Sequence, residues 1–474
     1  MNQPAPPPLV MKFGGSSVAD ADRLREVTSL VVEALPRAPL VVLSAMGRTT
    51  NALFELARRA AGGEAEAAAA GARALVQRHR DQAHALLDGA LPADLDALLA
   101  ACTRNLELLL GAVALLRALS PQAMDAIAAH GERLSTALLA AHLALLGVEV
   151  DLFDARVVLR TDERHGAARP DLDATRVACA EHLGPHLRAG RAVVTQGYVG
   201  STARGVTTTL GRGGSDYSAA VFGACLGACE VQVWTDVEGV LTTDPRLVPE
   251  ALSIPELSFA EAAELAAFGA KVLHPATMQP VVDLGIPVTV RHTQRPSGAF
   301  TRITKTATTG RPVTAIAARG PITVLTVTST RMLAQPGFLA RLFDVFARAH
   351  VSVDLVATAE VSVSLTIEAD APLHDLVREI EAFATVAVAP ERAIVALVGE
   401  RLKHTPGLAA RAFGALADID VEMLSMGANE INLSFVVPQA AMPTALRLLH
   451  RELLDGGRAQ APRREPTVEG AFDA

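Results

Sequence analysis

Short, wholly apolar runs alternate with longer amphipathic ones along this chain. LVMKF at 9–13 and PLVVLS at 39–44 have too few polar positions for half-exposed strands, so they read as strands of a sheet covered on both faces. Gly14-Gly15-Ser16-Ser17 turns the first strand into a helix from about Val18, with Ser17 as the expected N-cap and Asp20 in the first turn. Another helix starts near Asn51, and the Ala- and Leu-rich residues 62–146 keep a helical period with few breakers. Strands are expected at 148–153 and 191–198 around a helix at 173–189. A strand–loop–helix follows over Thr208–Gly227, then a strand at 230–235 and a turn-rich stretch from Asp236 to Arg246. Helices at 258–268 and 275–284 and a strand at 286–292 complete the first part. This alternation predicts an α/β domain, a mostly parallel sheet sandwiched by helices, with ligands at the carboxyl ends of the strands.

Residues 294–312, rich in Thr, Gly, Pro and Arg, read as a linker. Beyond them the period shortens. Strand 322–329, helix 337–349, strands 351–358 and 360–368, helix 372–383 and strand 385–389 make one α+β unit of βαββαβ type. A second unit runs through strand 393–399, helix 407–417, strands 419–426 and 431–437 and helix 440–454, and lacks its last strand. The segment 313–318 supplies a strand with no unit of its own, so the first unit is expected to be inserted within the second. Residues 456–474 are expected to be disordered.

Composition narrows the chemistry. The chain has 474 residues, 51 acidic against 43 basic, and a net charge of −8, without basic runs or interleaved aromatics. Nucleic acid and anionic membranes are therefore poor partners, and a small molecule is the better one. Only Lys12, Lys271, Lys305 and Lys403 are lysines, leaving 39 arginines among the 43 basic residues. A lysine kept against that bias suits a place that needs a compact ammonium. Cys102, Cys179, Cys225 and Cys229 show no zinc-type spacing. Cys225 and Cys229 are expected to pack in a core, and few, scattered cysteines fit a reducing cytoplasm. The start, MNQPAPPPLV, has neither the basic residues nor the apolar core of a signal peptide and is expected to form a short Pro-rich arm, and no uncharged apolar run reaches membrane-spanning length.

Four clusters carry candidate chemistry. Lys12 with Gly14 and Gly15 places an ammonium and backbone N–H groups before one anion, or is a plain glycine turn. Thr207 to Asp216 (TTTLGRGGSD) offers close backbone approach at its glycines, Arg212 as a bidentate carboxylate ligand and Asp216 to orient a cation; the plainer reading is a loop capped by Ser215 or Asp216. Thr235, Asp236 and Arg246 could hold a nucleotide or form a polar turn, and Phe268 to Pro275 puts Lys271 at a helix end. Glu132, in His130-Gly131-Glu132, stands at a helix start.

In order, the segments KFGGSSVAD, LVVLSAMGRTTN, HGERLST, TTTLGRGGSDYSAA, VWTDVEGVLTTDPR and FGAKVLHP resemble those of the aspartokinases. The tail from Met332 to Leu339 and VSVDLVATAEVSVSLTI (351–367) resembles the ACT units of the monofunctional, lysine-sensitive members. That resemblance implies an amino-acid-kinase domain over 9–293, one ACT unit over 322–390 and a second over 313–318 plus 391–455. It implies phosphorylation of the L-aspartate β-carboxylate by ATP with Mg2+, with Lys12 and Asp216 catalytic and no metal held by protein side chains. Aspartate would be held by Ser44, Thr50, Glu132, Arg212 and Ser215, and the nucleotide by Lys12, Gly14, Gly15, Thr235, Asp236, Leu241, Arg246, Lys271 and Val272. L-Lysine is the implied effector, met by Met332, Gly337, Phe338, Leu339, Ser352, Asp354 and Glu360. In that reading Pro336 opens the helix that offers its amides to the effector carboxylate. A cytoplasmic homodimer or homotetramer through the ACT units is implied. The alternatives are an amino-acid kinase with another substrate, or a catalytically silent amino-acid sensor.

Overall fold

The computed structural model describes residues 7–89, 91–269, 275–307, 311–333, 336–427 and 429–455. The chain forms two compact units. The first comprises residues up to Val240, Ser253–Ala266 and Lys271–Thr308; the second takes the rest, including Leu241–Leu252.

The first unit is built on an eight-stranded sheet. Its strands are β1 (Leu9–Phe13), β2 (Pro39–Leu43), β3 (Val150–Phe153), β5 (Ala192–Gln196), β8 (Glu230–Thr235), β9 (Glu256–Ser258), β10 (Val288–His292) and β11 (Thr301–Thr304), in the order β3-β5-β2-β1-β8-β10-β11-β9. All contacts from β3 to β10 are parallel, and β11 pairs antiparallel with β10. Every residue of β1, β2 and β5 is buried, as wholly apolar runs require in a sheet covered on both faces. The expected α/β class is the observed one.

Helices α1 (Ala21–Ala34), α2 (Thr49–Ala61), α3 (Ala65–Leu86), α4 (Ala93–Leu116), α5 (Pro121–Ala128) and α6 (His130–Leu145) share one core with β1 and β2. By length and composition α4 could cross a bilayer, but Leu95, Leu99, Cys102, Leu106, Leu110 and Val113 bury one face of it in that core. A second, three-stranded sheet joins β4 (Arg160–Thr161), β6 (Val199–Thr202) and β7 (Thr207–Thr209). Short helices α7 (Ala155–Val158), α8 (Leu172–Ala178) and α9 (Gly184–Arg188) precede β5, and α10 (Gly214–Leu226) runs from β7 to β8. After β9 come α11 (Phe259–Ala267) and α12 (Pro275–Asp283).

Three local expectations change. Asp20, not Ser17, caps α1: its side chain accepts from the Arg23 amide, while the Ser17 hydroxyl is buried against Thr293 Oγ1 at 2.7 Å. The expected linker contains β11, because Thr301 and Ile303 are buried and complete the sheet beside β10. Cys225 is only half-buried and Cys229 is exposed, where Arg37 donates to its sulfur at 3.4 Å.

The second unit is a six-stranded antiparallel sheet. It contains β12 (Ala315–Thr328), β13 (Val356–Thr358), β14 (Ser362–Glu368), β15 (Thr385–Val398), β16 (Met423–Met426) and β17 (Asn432–Pro438), in the order β13-β14-β12-β15-β17-β16. Strands expected as separate pairs are fused here into the 14-residue β12 and β15. Register shifts between Arg319 and Val324 carry β12 through the Gly320-Pro321 step that lies between the expected strands 313–318 and 322–329. Helices α13 (Phe338–Arg348) and α14 (Leu373–Glu381) pack one core with β14, and α15 (Leu408–Ala415) and α16 (Met442–His450) another with β17. Gly337, at φ 93°, is the N-cap of α13, so Pro336 lies outside the helix instead of in its first turn. Strands expected at 351–358 and 419–426 shorten to β13 and β16.

Candidate active site

The carboxyl ends of β1, β2 and β5 meet through backbone hydrogen bonds. The Ser44 amide donates to Phe13 O at 3.0 Å, and the Gly197 amide to Leu43 O at 2.8 Å. The Gly47 amide donates to Gly15 O at 2.9 Å, and a Cβ on Gly15 would stand 2.9 Å from Ala45 O, so only glycine lets these two turns close on each other. Above them lies a cavity of about 320 Å³.

Lys12 projects into it from β1. Its side chain is only 10% exposed, and Nζ stands 2.6 Å from Asp216 Oδ1 in the first turn of α10. The ammonium is thereby fixed beside a helix N-terminus, where anions are favoured. Neither Ser215 nor Asp216 caps α10; Gly213, at φ 70°, occupies that position.

Glu132, in the first turn of α6, lines the same cavity and is buried. Its Oε1 accepts from the Ala45 amide at 3.2 Å, while Oε2 has no hydrogen-bond partner among the described residues. Burial pushes its carboxyl up to about 8. A buried acid with an unused oxygen is suited to a cationic group that arrives with a ligand.

Ser44, Thr50 and Ser215 line the same cavity, as do Tyr198, Gly47, Arg48 and Asn51, which the sequence reading had not singled out. Arg212 is exposed between two lining glycines, Gly211 and Gly213, and makes no ion pair among the described residues. The Gly14 amide does not face a ligand: it donates to Trp234 O at 3.2 Å, which leaves Gly15 as the glycine of that pair on the cavity wall.

Thr235 ends β8, next to β1 in the sheet, and Asp236 follows it; Thr235 Oγ1 donates to Asp236 Oδ1 at 3.1 Å. Leu241 and Arg246 belong to the second unit. There Arg246 is exposed and forked onto Asp244, with Nη2 at 2.6 Å from Oδ2. Lys271 and Val272 lie outside the described residues.

Of the residues expected to meet an effector, Gly337, Phe338 and Leu339 open α13 and Met332 is half-buried before it. Ser352 and Glu360 are exposed. Asp354 is already paired with Arg319, and burial outweighs that cation, raising its carboxyl above the usual range.

The amino acid kinase family matches residues 7–292, and the ACT domain matches 325–371 and 395–453. Lysine-sensitive aspartokinase 3 of Escherichia coli is 39% identical over 459 residues, 94% of this chain and 99% of the relative. Chloroplastic aspartokinase 1 of Arabidopsis thaliana is 38% identical over 94% of this chain and 80% of its own. Two crystal structures of E. coli aspartokinase III are similar over 94% of this chain and 99% of theirs. The complex with lysine and aspartate in the T-state has a TM-score of 0.79 at 39% identity, and that with aspartate and ADP in the R-state 0.78 at 38%. Kinase sheet, ACT-type sheet and near-complete mutual coverage agree: the chain belongs to the aspartokinase family.

Proposed function

We propose that this aspartokinase transfers the γ-phosphoryl group of MgATP to the β-carboxylate of L-aspartate, giving 4-phospho-L-aspartate and ADP, and thereby opens aspartate-family amino-acid biosynthesis. The observation that carries the reading is one cavity holding both the Lys12–Asp216 ion pair and the buried, half-satisfied Glu132. A carboxylate nucleophile needs no general base, so the barrier is the approach of anions and the charge spread over the transferring group. A β-carboxylate oxygen bonds to the γ-phosphorus as the bond to the ADP oxygen breaks. Lys12, oriented by Asp216, supplies the ammonium that stabilises this charge, and Gly15 lets the backbone come close. Magnesium enters with the nucleotide as part of the substrate.

Glu132 receives the α-ammonium, Arg212 the α-carboxylate, and Ser44, Thr50 and Ser215 surround the rest. Thr235 and Asp236 face the nucleoside, with Lys271 and Val272 as further ligands of the nucleotide. The experiment is trapping with hydroxylamine: aspartate, MgATP and enzyme should yield aspartyl hydroxamate, and its absence overturns the reading. Activity on another amino acid instead would identify a sister kinase.

L-Lysine is the proposed feedback effector, bound about the start of α13 by Met332, Gly337, Phe338, Leu339, Ser352, Asp354 and Glu360. The relative named lysine-sensitive supports this. Exposed Leu339 and Phe343 on α13 support self-association through that ACT unit, as a dimer or tetramer. A ligand shifts a two-state equilibrium only by its differential affinity. Millimolar lysine should therefore raise the aspartate concentration needed for half-maximal rate and also shift thermal stability. If neither moves, the enzyme is not a lysine sensor. The cysteine usage supports a cytoplasmic location.

A further inference from the structure

Asp125 does not line the cavity, yet it is among the most buried acids of the first unit, 1% exposed on α5. Its carboxylate accepts from Thr209 Oγ1 at 2.5 Å, from the Gly166 amide at 3.1 and 3.0 Å, and from His165 Nδ1 at 2.8 Å. These donors come from the last residue of β7 and from the turn before α8, 84 and about 40 positions away in sequence. A buried carboxylate that collects donors from separate segments fixes their mutual geometry.

Both routes lead to the substrate side. Thr209 is followed by Leu210 and then the glycine turn that frames Arg212. Its hydroxyl donates to Asp125, and the next amide along, that of Leu210, donates to Tyr198 O at 2.9 Å, so the tether reaches the Tyr198 backbone. Tyr198 lines the cavity, its backbone at φ 66°, and its ring occupies the place where a Cβ on Gly214 would stand at 2.6 Å. By the second route, Gly166 braces Gly211: a Cβ there would stand 2.9 Å from Gly166 O. Gly211 and Gly213 both have positive φ, at 77° and 70°, so the turn carrying Arg212 has backbone freedom that something outside it must restrict.

We propose that Asp125 is a positioning residue for the aspartate pocket, acting through Thr209 and Gly166 to hold the Gly211–Gly214 turn and the Tyr198 wall in the geometry that receives the substrate. This rests on the assignment of the cavity to aspartate made above.

The test uses the full-length enzyme and steady-state hydroxamate formation. Thr209→Val removes the hydroxyl while keeping volume and branching, and should raise KM for aspartate about tenfold, the loss of one hydrogen bond to a charged group, with KM for MgATP moving less than about twofold. Thr209→Ser, which keeps the hydroxyl, should restore the aspartate KM. Asp125→Asn should shift it in the same direction as Thr209→Val. The proposal is overturned if Thr209→Val leaves the aspartate KM unmoved, if both KM values rise together with a fall in Tm, or if Thr209→Ser fails to rescue. A wild-type enzyme that forms no aspartyl hydroxamate sinks the aspartate reading and this proposal together; an active wild type with an indifferent Thr209→Val sinks this proposal alone.

Discussion

Lys12→Ala should lower kcat for aspartyl hydroxamate formation by about 10²–10³-fold, the usual cost of removing one preorganised group aimed at developing charge. The ammonium is nearly out of water and held 2.6 Å from Asp216, so it needs no reorganisation when the phosphoryl group moves. Lys12→Arg should be nearly as inactive. The guanidinium is planar and longer, and this buried site is shaped around a point charge beside Gly14 and Gly15. A chain with 39 arginines and four lysines makes that comparison pointed, because its bias toward Arg gives way here. Removing Lys12 also leaves Asp216 without its cation, so a modest fall in Tm accompanies the loss of rate. Asp216→Asn separates the two effects: the charge of Lys12 stays while its tether weakens, and kcat should fall by less than in Lys12→Ala. An Arg variant with wild-type kcat would show that any cation serves and that Lys12 has no special place in the transfer.

The parts of this site written in contiguous residues were legible in sequence. Lys12 and its glycines follow an unbroken apolar strand, and Asp216 opens an apolar helix after a glycine-rich turn, so strand end and helix start announce both. Glu132 is different. Its position was available only through resemblance, because a helix start on a solvated face is the plainer reading, and nothing local tells that α6 is buried along most of its length.

Tyr198 and Asp125 were not legible, since what matters about them is contact between separate segments, 84 positions apart for Asp125 and Thr209. In the same way β9 and β11, of three and four residues, are too short to show a period and gain strand character only by pairing, β9 with β11 and β11 with β10. Residues 241–252 lie within the amino acid kinase match over 7–292, while Thr242 O accepts from the Ile316 amide at 2.7 Å, the Thr242 hydroxyl pairs with buried His450 and Val248 enters a core of the second unit. A polar, turn-like composition does not announce that packing.

Glu132→Gln should lower kcat/KM for aspartate roughly 10- to 100-fold, the loss of a charge-assisted hydrogen bond, and should at the same time stabilise the free enzyme at alkaline pH. The two effects share one cause. In the free protein, burial holds the Glu132 carboxyl at about 8, against an ordinary 4.5. Between those values the folded state binds a proton that the unfolded state has released, so stability falls as pH rises through this window and the loss is complete above about 8. A glutamine does not titrate. The Tm difference between Glu132→Gln and wild type should therefore grow in favour of the variant from pH 5.5 to pH 8.5. Substrate binding reads the same group with the opposite sign, because only the ionised carboxylate pairs with the α-ammonium. KM for aspartate in the wild type should rise roughly tenfold for each pH unit below about 8 and level off above it. At pH 7, binding should release close to one proton per site, measurable as a buffer-dependent enthalpy in calorimetry. In Glu132→Gln both the KM slope and the proton release should vanish. A wild-type KM that is flat from pH 6 to 8 would mean that Glu132 is already ionised in the free enzyme and that its buried, unpartnered oxygen is not waiting for a cation.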